Sequence, residues 1–365
     1  MSGTSLDGVD GVLVDLSDST VRVIGHATAD FPSALREEFL ALNTAGNDEI
    51  HRAALAANGL VGLYADVVRR LLTDAALPAS AVTASGAHGQ SVRHRPGAFD
   101  GVGYTVQLNN PALLAESTGI DVVADFRSRD VAAGGQGAPL VPAFHLSVFG
   151  RQDRPVAVLN IGGISNISLL PAGNGDSSAT VLGFDCGPGN ALLDHWCRLH
   201  TGQPFDAGGR WAASGTSQPA LLARLLADPY FSSAPPKSTG RDLFHPTWLA
   251  ARLAGSTIAP VDIQATLTEL TAVACADDLR RHGGDCRELI VCGGGAFNTH
   301  LMARLAARLP GVDVVSSAER GLPPQQVEAA AFAWLAKATV QRRPGNLASV
   351  TGARGTRVLG AVYPA

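Results

Sequence analysis

Val156-Ala157-Val158-Leu159-Asn160-Ile161-Gly162-Gly163-Ile164-Ser165-Asn166-Ile167-Ser168-Leu169-Leu170 carries the reading of the fold. Two apolar runs flank a Gly-Gly pair, which predicts strand, tight turn, strand. A related pattern stands at the start of the chain. Ser2-Gly3-Thr4-Ser5-Leu6-Asp7-Gly8-Val9-Asp10-Gly11 reads as a loop, and Val12-Leu13-Val14-Asp15-Leu16 as the strand after it. The two units look like one device used twice, although no residue-level repeat links them. A third glycine loop, Gly293-Gly294-Gly295, follows the apolar Leu289-Ile290-Val291-Cys292 and precedes a helical stretch from about Asn298 to Leu309. Apolar residues recur at helical spacing over His51 to Leu72, Ile263 to Leu279 and Val327 to Val340. Pro260 and Asp262 mark a helix start. Strands alternate with helices, so the class is α/β with largely buried sheets. A duplicated fold would turn both strand–loop–strand devices toward one nucleotide. The boundary is expected near residue 130, giving lobes 1–130 and 131–340, with the tail 341–365 returning to the first.

The chain has 365 residues, enough for two buried cores. Apolar residues make up 46% and charged residues 16%, which excludes a disordered chain. The net charge is −4 with no Lys/Arg run, so nucleic acid and anionic membranes are poor partners. No apolar run reaches the roughly 18 residues of a membrane span, and Met1 to Ser5 has no secretory pattern. The five cysteines, Cys186, Cys197, Cys275, Cys286 and Cys292, form no CxxC pair and read as free thiols in a reducing cytoplasm.

Several segments are suited to chemistry. In the first loop, Gly3, Gly8 and Gly11 permit close approach of a ligand, and Thr4 and Ser5 offer donors to phosphate. Asp7 and Asp10 suit Mg²⁺ or its bound water rather than phosphate itself. An ordinary hairpin turn is the alternative, because Asp-Gly is a hairpin signal. Gly293 to Gly295 leave room for a flat group such as adenine, or simply make a tight connection. In Gly183-Phe184-Asp185-Cys186-Gly187-Pro188-Gly189-Asn190, Asp185 sits at a strand end, where a carboxylate serves as general base or caps a turn. Asn190 is expected to cap the following helix. Glu328 lies in an apolar helix and needs a polar cleft unless it is a solvated first-turn residue. Arg127, Arg129, Lys237 and Arg241 suit phosphate or sugar, or form salt bridges with Asp125, Asp130 and Asp242. His88 and Gln90, between glycines at a strand end, suit sugar hydroxyls, and His88 equally suits a structural role. The histidine spacings do not read as a zinc site.

Taken together and in order, these segments resemble the anhydro-N-acetylmuramic acid kinase family over essentially the whole chain. The carrying pieces run from Ser2 to Asp10, through His88-Gly89-Gln90, Asp125-Phe126-Arg127, Gly134 to Pro142 and Asn160 to Asn166. They continue with Asp185 to Asn190, Lys237 to Arg241, Val291 to Gly295 and Glu328. The resemblance implies a two-lobed actin-like ATPase fold of duplicated RNase H-like domains, with ATP and Mg²⁺ in the cleft, and a cytoplasmic homodimer. It implies that Gly3, Thr4, Ser5, Leu6, Asp7, Gly8, Val9 and Asp10 bind the nucleotide, together with Asn160, Gly162, Gly163, Gly293, Gly294 and Gly295. Asp7 would hold Mg²⁺ through water. His88, Gln90, Arg127 and Asn190 would bind sugar. In the implied reaction Asp185 looks like the base that activates water, and Glu328 like a second acid. The sugar would be 1,6-anhydro-N-acetylmuramic acid, and the products N-acetylmuramic acid 6-phosphate and ADP.

The pattern departs from the family at Cys186, where Thr is expected, and at Leu108-Asn109-Asn110, where Gly-Asp follows Gln107 in the family. A kinase for another sugar, or a silent sugar sensor on the same scaffold, are the alternatives. The family also has an apolar strand ahead of the first loop, so the natural chain is expected to start roughly 5–15 residues upstream of Met1, the length of one strand.

Overall fold

A computed structural model describes residues 1–3, 6, 8–17, 20–173, 180–240 and 243–365. The described residues contain twelve strands: β1 (Gly8–Asp15), β2 (Arg22–Asp30), β3 (Ser85–Ala87), β4 (Gln90–Pro96), β5 (Gly103–Leu108), β6 (Val122–Ala124), β7 (Val156–Ile161), β8 (Ile164–Leu170), β9 (Leu182–Pro188), β10 (Glu288–Cys292), β11 (Asp313–Ser316) and β12 (Ala361–Tyr363). Among these residues no helix is long and apolar enough to cross a membrane.

The chain divides into two compact α/β units. Unit 1 is Met1–Val148 with Gln326–Ala365, and unit 2 is Phe149–Gln325. The expected boundaries at 130 and 340 both move. Helix Val141–Phe149 falls almost wholly in unit 1. Helix Val327–Val340 joins unit 1 because its apolar Phe332, Leu335 and Ala336 pack with Val123, Phe126 and Leu359 of that unit.

Unit 2 holds one five-stranded sheet in the order β11-β10-β7-β8-β9. β7, β10 and β11 are parallel, and β8 runs antiparallel to both β7 and β9. β10 is buried along its whole length and β7 at every residue but Asn160. This explains their continuous apolar runs, as expected for strands covered on both faces. Helix Pro260–His282 is buried at most of its residues, and Leu279 packs under the sheet with Leu159, Ile167, Phe184 and Leu289. Its start is Pro260 at the first helical position, after Ala259, with no side-chain cap. Asp262 is therefore inside the helix rather than at its cap.

Unit 1 has the antiparallel pair β1–β2, the three-stranded sheet β12-β6-β3 and the hairpin β4–β5. β3 and β6 are parallel, and β12 runs antiparallel to β6. Helix Glu49–Asp74 places Leu60, Val61, Tyr64, Val67 and Leu71 in the core with Val9 and Ala27 of the first pair. β1 begins at Gly8, earlier than the expected Val12. Gly8 to Gly11 are thus strand, not loop. A side chain at Gly8 would collide with the Ala29 carbonyl across the pair, which is why glycine stands there.

Candidate active site

In unit 2 three glycine-bearing segments meet, at Gly162–Gly163, Gly187–Gly189 and Gly293–Gly295. Gly162 and Gly163 turn between β7 and β8. Gly293 to Gly295 follow β10, the parallel neighbour of β7. Asn190 N–H donates to the Gly162 carbonyl at 2.8 Å, and Gly189 and Ala191 donate to Gly163. The Asn190 side chain donates to the Ile161 carbonyl at 3.1 Å. Asn190 therefore ties the loop together. It does not cap the helix Asn190–Thr201, whose N-cap is Gly189. Asn298 does cap its helix: its side chain accepts from Leu301 N–H at 2.9 Å.

The glycines divide by role. Gly293 has φ +77°, and a Cβ there would collide with Asn160 Oδ1 and lie 2.7 Å from the Ile161 carbonyl. A Cβ on Gly295 would collide with the Ile161 side chain. These two are glycine because β7 presses on them. Gly162 and Gly294 are not pressed in this way: a built Cβ would make only ordinary contacts, with the nearest atoms 3.6 and 3.4 Å away. Backbone that is open and free of side chains fits a flat or phosphate-bearing ligand. Gly293→Ala is expected to destabilise the fold by about 2–5 kcal/mol, from left-handed backbone strain and overpacking. Denaturant titration measures this, and a change under about 0.5 kcal/mol would contradict the packing account.

Asp185 lies on β9, paired with Asn166 of β8, and the register slips at Cys186. Bulges of this kind re-aim side chains beside functional sites. Phe184 and Cys186 point into the core, and Asp185 is only partly buried. Its Oδ2 accepts from Thr239 N–H at 2.9 Å and from Ser238 Oγ at 3.0 Å. Its own N–H donates to the Lys237 carbonyl at 3.2 Å, and Tyr230 Oη donates to the Asp185 carbonyl at 2.7 Å. Oδ1 has no donor among the described residues. Burial pushes the Asp185 pKa above the ordinary carboxylate value, while Thr239, Ser238 and Lys237 pull it back. A carboxylate with one oxygen fixed and one available is suited to take a proton from water.

Lys237 was a candidate for phosphate, sugar or a salt bridge to a neighbouring acid. It is buried against Asp278 instead, with Nζ 3.0 Å from Oδ1 and 2.9 Å from Oδ2. Arg241 lies outside the described residues.

In unit 1, His88, Arg127 and Glu328 form a second cluster. Arg127 Nε donates to His88 Nε2 at 2.9 Å and Nη1 to the Gly137 carbonyl at 2.8 Å. Because Nε2 accepts, the His88 proton sits on Nδ1, which donates to the Gly89 carbonyl at 2.7 Å. Burial and the Arg127 charge hold the His88 pKa well below its usual value, so the ring is neutral. Its ring centre lies 4.5 Å from that of Phe332, tilted by 53°, one helical turn beyond Glu328. Glu328 is solvent-accessible yet recessed among protein atoms, which raises its pKa, and the Arg127 charge opposes the rise. Burial lowers the Arg127 pKa to about 10, against the pull of Glu328 and Asp130. Gln90 Nε2 donates to the Gly3 carbonyl at 3.2 Å, and its Oε1 is buried without a partner among the described residues.

The first loop is only partly covered, because Thr4, Ser5 and Asp7 lie outside the described residues. Leu6 and Val9 place their side chains in the core, so they can offer a ligand only backbone. Asp10 is half exposed on β1, with His26 Nε2 3.5 Å from Oδ1. Asp185 stands in unit 2 and Glu328 in unit 1. The donors Ser238 and Thr239 and the Tyr230 anchor are additions to the sequence reading. Ser238 and Thr239 were legible only as part of the Lys237 to Arg241 segment, and nothing in the sequence marks Tyr230.

Two α/β units with glycine turns, a recessed carboxylate and an arginine–histidine cluster have the parts of a phosphoryl-transfer enzyme for a small polar substrate. The model of the anhydro-N-acetylmuramic acid kinase family matches residues 1–365. Curated relatives bear that name. One from Variovorax paradoxus is 70% identical over 366 residues, covering all of this chain and 98% of its own. Others from Albidiferax ferrireducens and Cupriavidus metallidurans are 62% and 60% identical, each over 100% of this chain, and over 98% and 96% of their own lengths. The chain belongs to the anhydro-N-acetylmuramic acid kinase family.

Proposed function

We propose that this protein uses ATP and water to convert 1,6-anhydro-N-acetylmuramic acid to N-acetylmuramic acid 6-phosphate and ADP, a step in cell-wall sugar recycling. The observation that carries the mechanism is Asp185, held through Oδ2 by Thr239 and Ser238 with Oδ1 left to face water. Asp185 takes a proton as the water oxygen bonds to C1. The C1–O6 bond breaks, O6 bonds to the γ-phosphorus, and the bond from that phosphorus to the bridging oxygen of ADP breaks. Glu328 and Arg127 present a carboxyl and a guanidinium to sugar or water, with neutral His88 orienting the guanidinium. Gln90 also serves the sugar. Asn190 acts by fixing the Gly162–Gly163 turn.

In this reading Gly162 and Gly294, where glycine leaves room on the backbone, serve ATP, and the resemblance assigns the first loop from Gly3 to Asp10 to the nucleotide as well. Gly163 shapes that surface through the bonds it accepts, and Asn160, Gly293 and Gly295 shape it through their packing. Asp10 supplies a half-exposed oxygen of the kind Mg²⁺ takes, which fits this ion with Asp7 as its companion. Bound there, Mg²⁺ neutralises phosphate charge. The five cysteines are buried and none is in a disulfide, in keeping with a cytoplasmic enzyme, and a homodimer is part of the same reading.

ADP release is expected to require both the anhydro sugar and Mg²⁺. A coupled assay with each component omitted in turn tests this. Equal ADP release without sugar would refute the coupled reaction, and intact N-acetylmuramic acid serving equally well would refute the role of water at C1.

A further inference from the structure

β9, which carries Asp185, is an edge of its sheet, and residues 237–239 lie along it. This segment makes three of the contacts that define the Asp185 geometry: the Lys237 carbonyl, Ser238 Oγ and Thr239 N–H. It is irregular chain with no helical or strand ladder of its own. Its anchor is the Lys237 side chain, which enters the protein beneath β9. The Lys237 and Asp278 side chains are 4% and 2% exposed. The ammonium lies 5.1 Å from the Tyr230 ring centre and 5.7 Å from that of Phe184. Asp278 belongs to the long buried helix Pro260–His282.

Burying two charges has a large desolvation cost, and a pair of apolar side chains would commonly serve stability as well. Stability alone therefore gives little reason for an ion pair here. Its location gives another. We propose that the Lys237–Asp278 pair is a positioning device for the reaction: it pins residues 237–239 to the long helix and so holds the Ser238 and Thr239 donors on Asp185. This rests on the reading of Asp185 as the base. Arg281, 3.8 Å from Asp278, His282 and the thiols Cys186 and Cys275 are the other ionisable groups around the pair, with Tyr230 on the segment side.

The pair also bears on the charge of the base. Lys237, Ser238 and Thr239 all favour ionised Asp185 against burial. Loosening them moves the acid limb of the kcat profile to higher pH, because a base must be ionised to act. Loss of the Lys237 charge raises that limb by itself, so a role confined to stability is marked by an unchanged kcat in the folded double variant.

The test is steady-state ADP release against pH for three variants of the full chain. In Lys237→Met/Asp278→Leu both charges go and side-chain bulk is roughly kept. We expect kcat to fall about 10–10²-fold, as misplacement of a catalytic group does, with the KM for ATP unchanged and the acid limb raised. Ser238→Ala alters an exposed residue that the fold does not depend on. It is expected to show a smaller loss with the limb moved in the same direction. Asp185→Asn is the control for the underlying reading. If it is inactive while a folded double variant keeps wild-type kcat, or loses kcat with the limb unmoved, the positioning role is overturned. If the double variant does not fold, Ser238→Ala decides: wild-type kcat and an unmoved limb overturn the role. Full turnover in Asp185→Asn would overturn the base and the positioning role together.

Discussion

Asp185→Asn is expected to lower kcat by about 10²–10⁴-fold, the usual contribution of a general base. Asn is close to isosteric and still offers an oxygen to Thr239 N–H and Ser238 Oγ, so the segment along β9 keeps its place. Binding of ATP and sugar should survive, and the loss should fall on kcat. The wild-type profile has a defined sign. Burial raises the Asp185 pKa above its ordinary value. The ionised base is present above that raised pKa, and turnover declines as pH falls through it. In the Asn variant this acid limb should vanish along with the activity. Single-turnover ADP release at several pH values measures both. Turnover within a few fold of wild type would remove Asp185 from the chemistry.

Glu328→Ala is expected to cost about 10²-fold or more in kcat/KM, the lower end of what a lost acid–base group costs. The residue occupies the first turn of helix Val327–Val340, and its side chain reaches solvent. Alanine is a good helix former, so the variant should fold. Loss of the N-terminal carboxylate removes a favourable dipole interaction of about 0.3–1 kcal/mol, along with its attraction to Arg127. Stability and activity should therefore separate: a melting temperature within a few degrees of wild type, with strongly reduced turnover. Arg127 loses one of the two carboxylates that hold its pKa up, but at about 10 in the wild type it remains charged at neutral pH. Unchanged kcat/KM would return Glu328 to a helix-end role.

The parts of the structure legible in the sequence are those set by periodicity. The Gly162–Gly163 turn between two strands, helix Val327–Val340 and the glycine connection after β10 all stand where apolar spacing and glycine placed them. Helices Glu49–Asp74 and Pro260–His282 extend a few residues beyond the apolar periodicity, because their ends are polar. What was not legible depends on partners distant in the chain. Lys237 and Asp278 are 41 residues apart, and nothing local distinguishes that lysine from a surface one. Asn190 has a helix-capping side chain at a helix start, yet the neighbouring turn takes its donors. Gly8 to Gly11 have loop composition, and only pairing with β2 makes them strand. The domain boundary was misplaced for a related reason: helix Val327–Val340 is apolar on most sides, so its own sequence does not say which core it joins.

Unit 1 is made from both ends of the chain, whereas unit 2 is one continuous segment. During synthesis, at about 5–20 residues per second, the nascent chain must wait on the order of ten seconds between the first part of unit 1 and helix Val327–Val340. Phe332 completes the packing around His88 and Phe126, and β12 completes the sheet beside β6. Until these arrive, Val122 to Ala124 have no β12 and His88 has no aromatic lid. Unit 2 is drawn from neither end and can be finished first. Completion thus departs from chain order: unit 2, with the Asp185 carboxyl, can close before unit 1, whose packing of Phe332 on His88 waits for the segment 326–365.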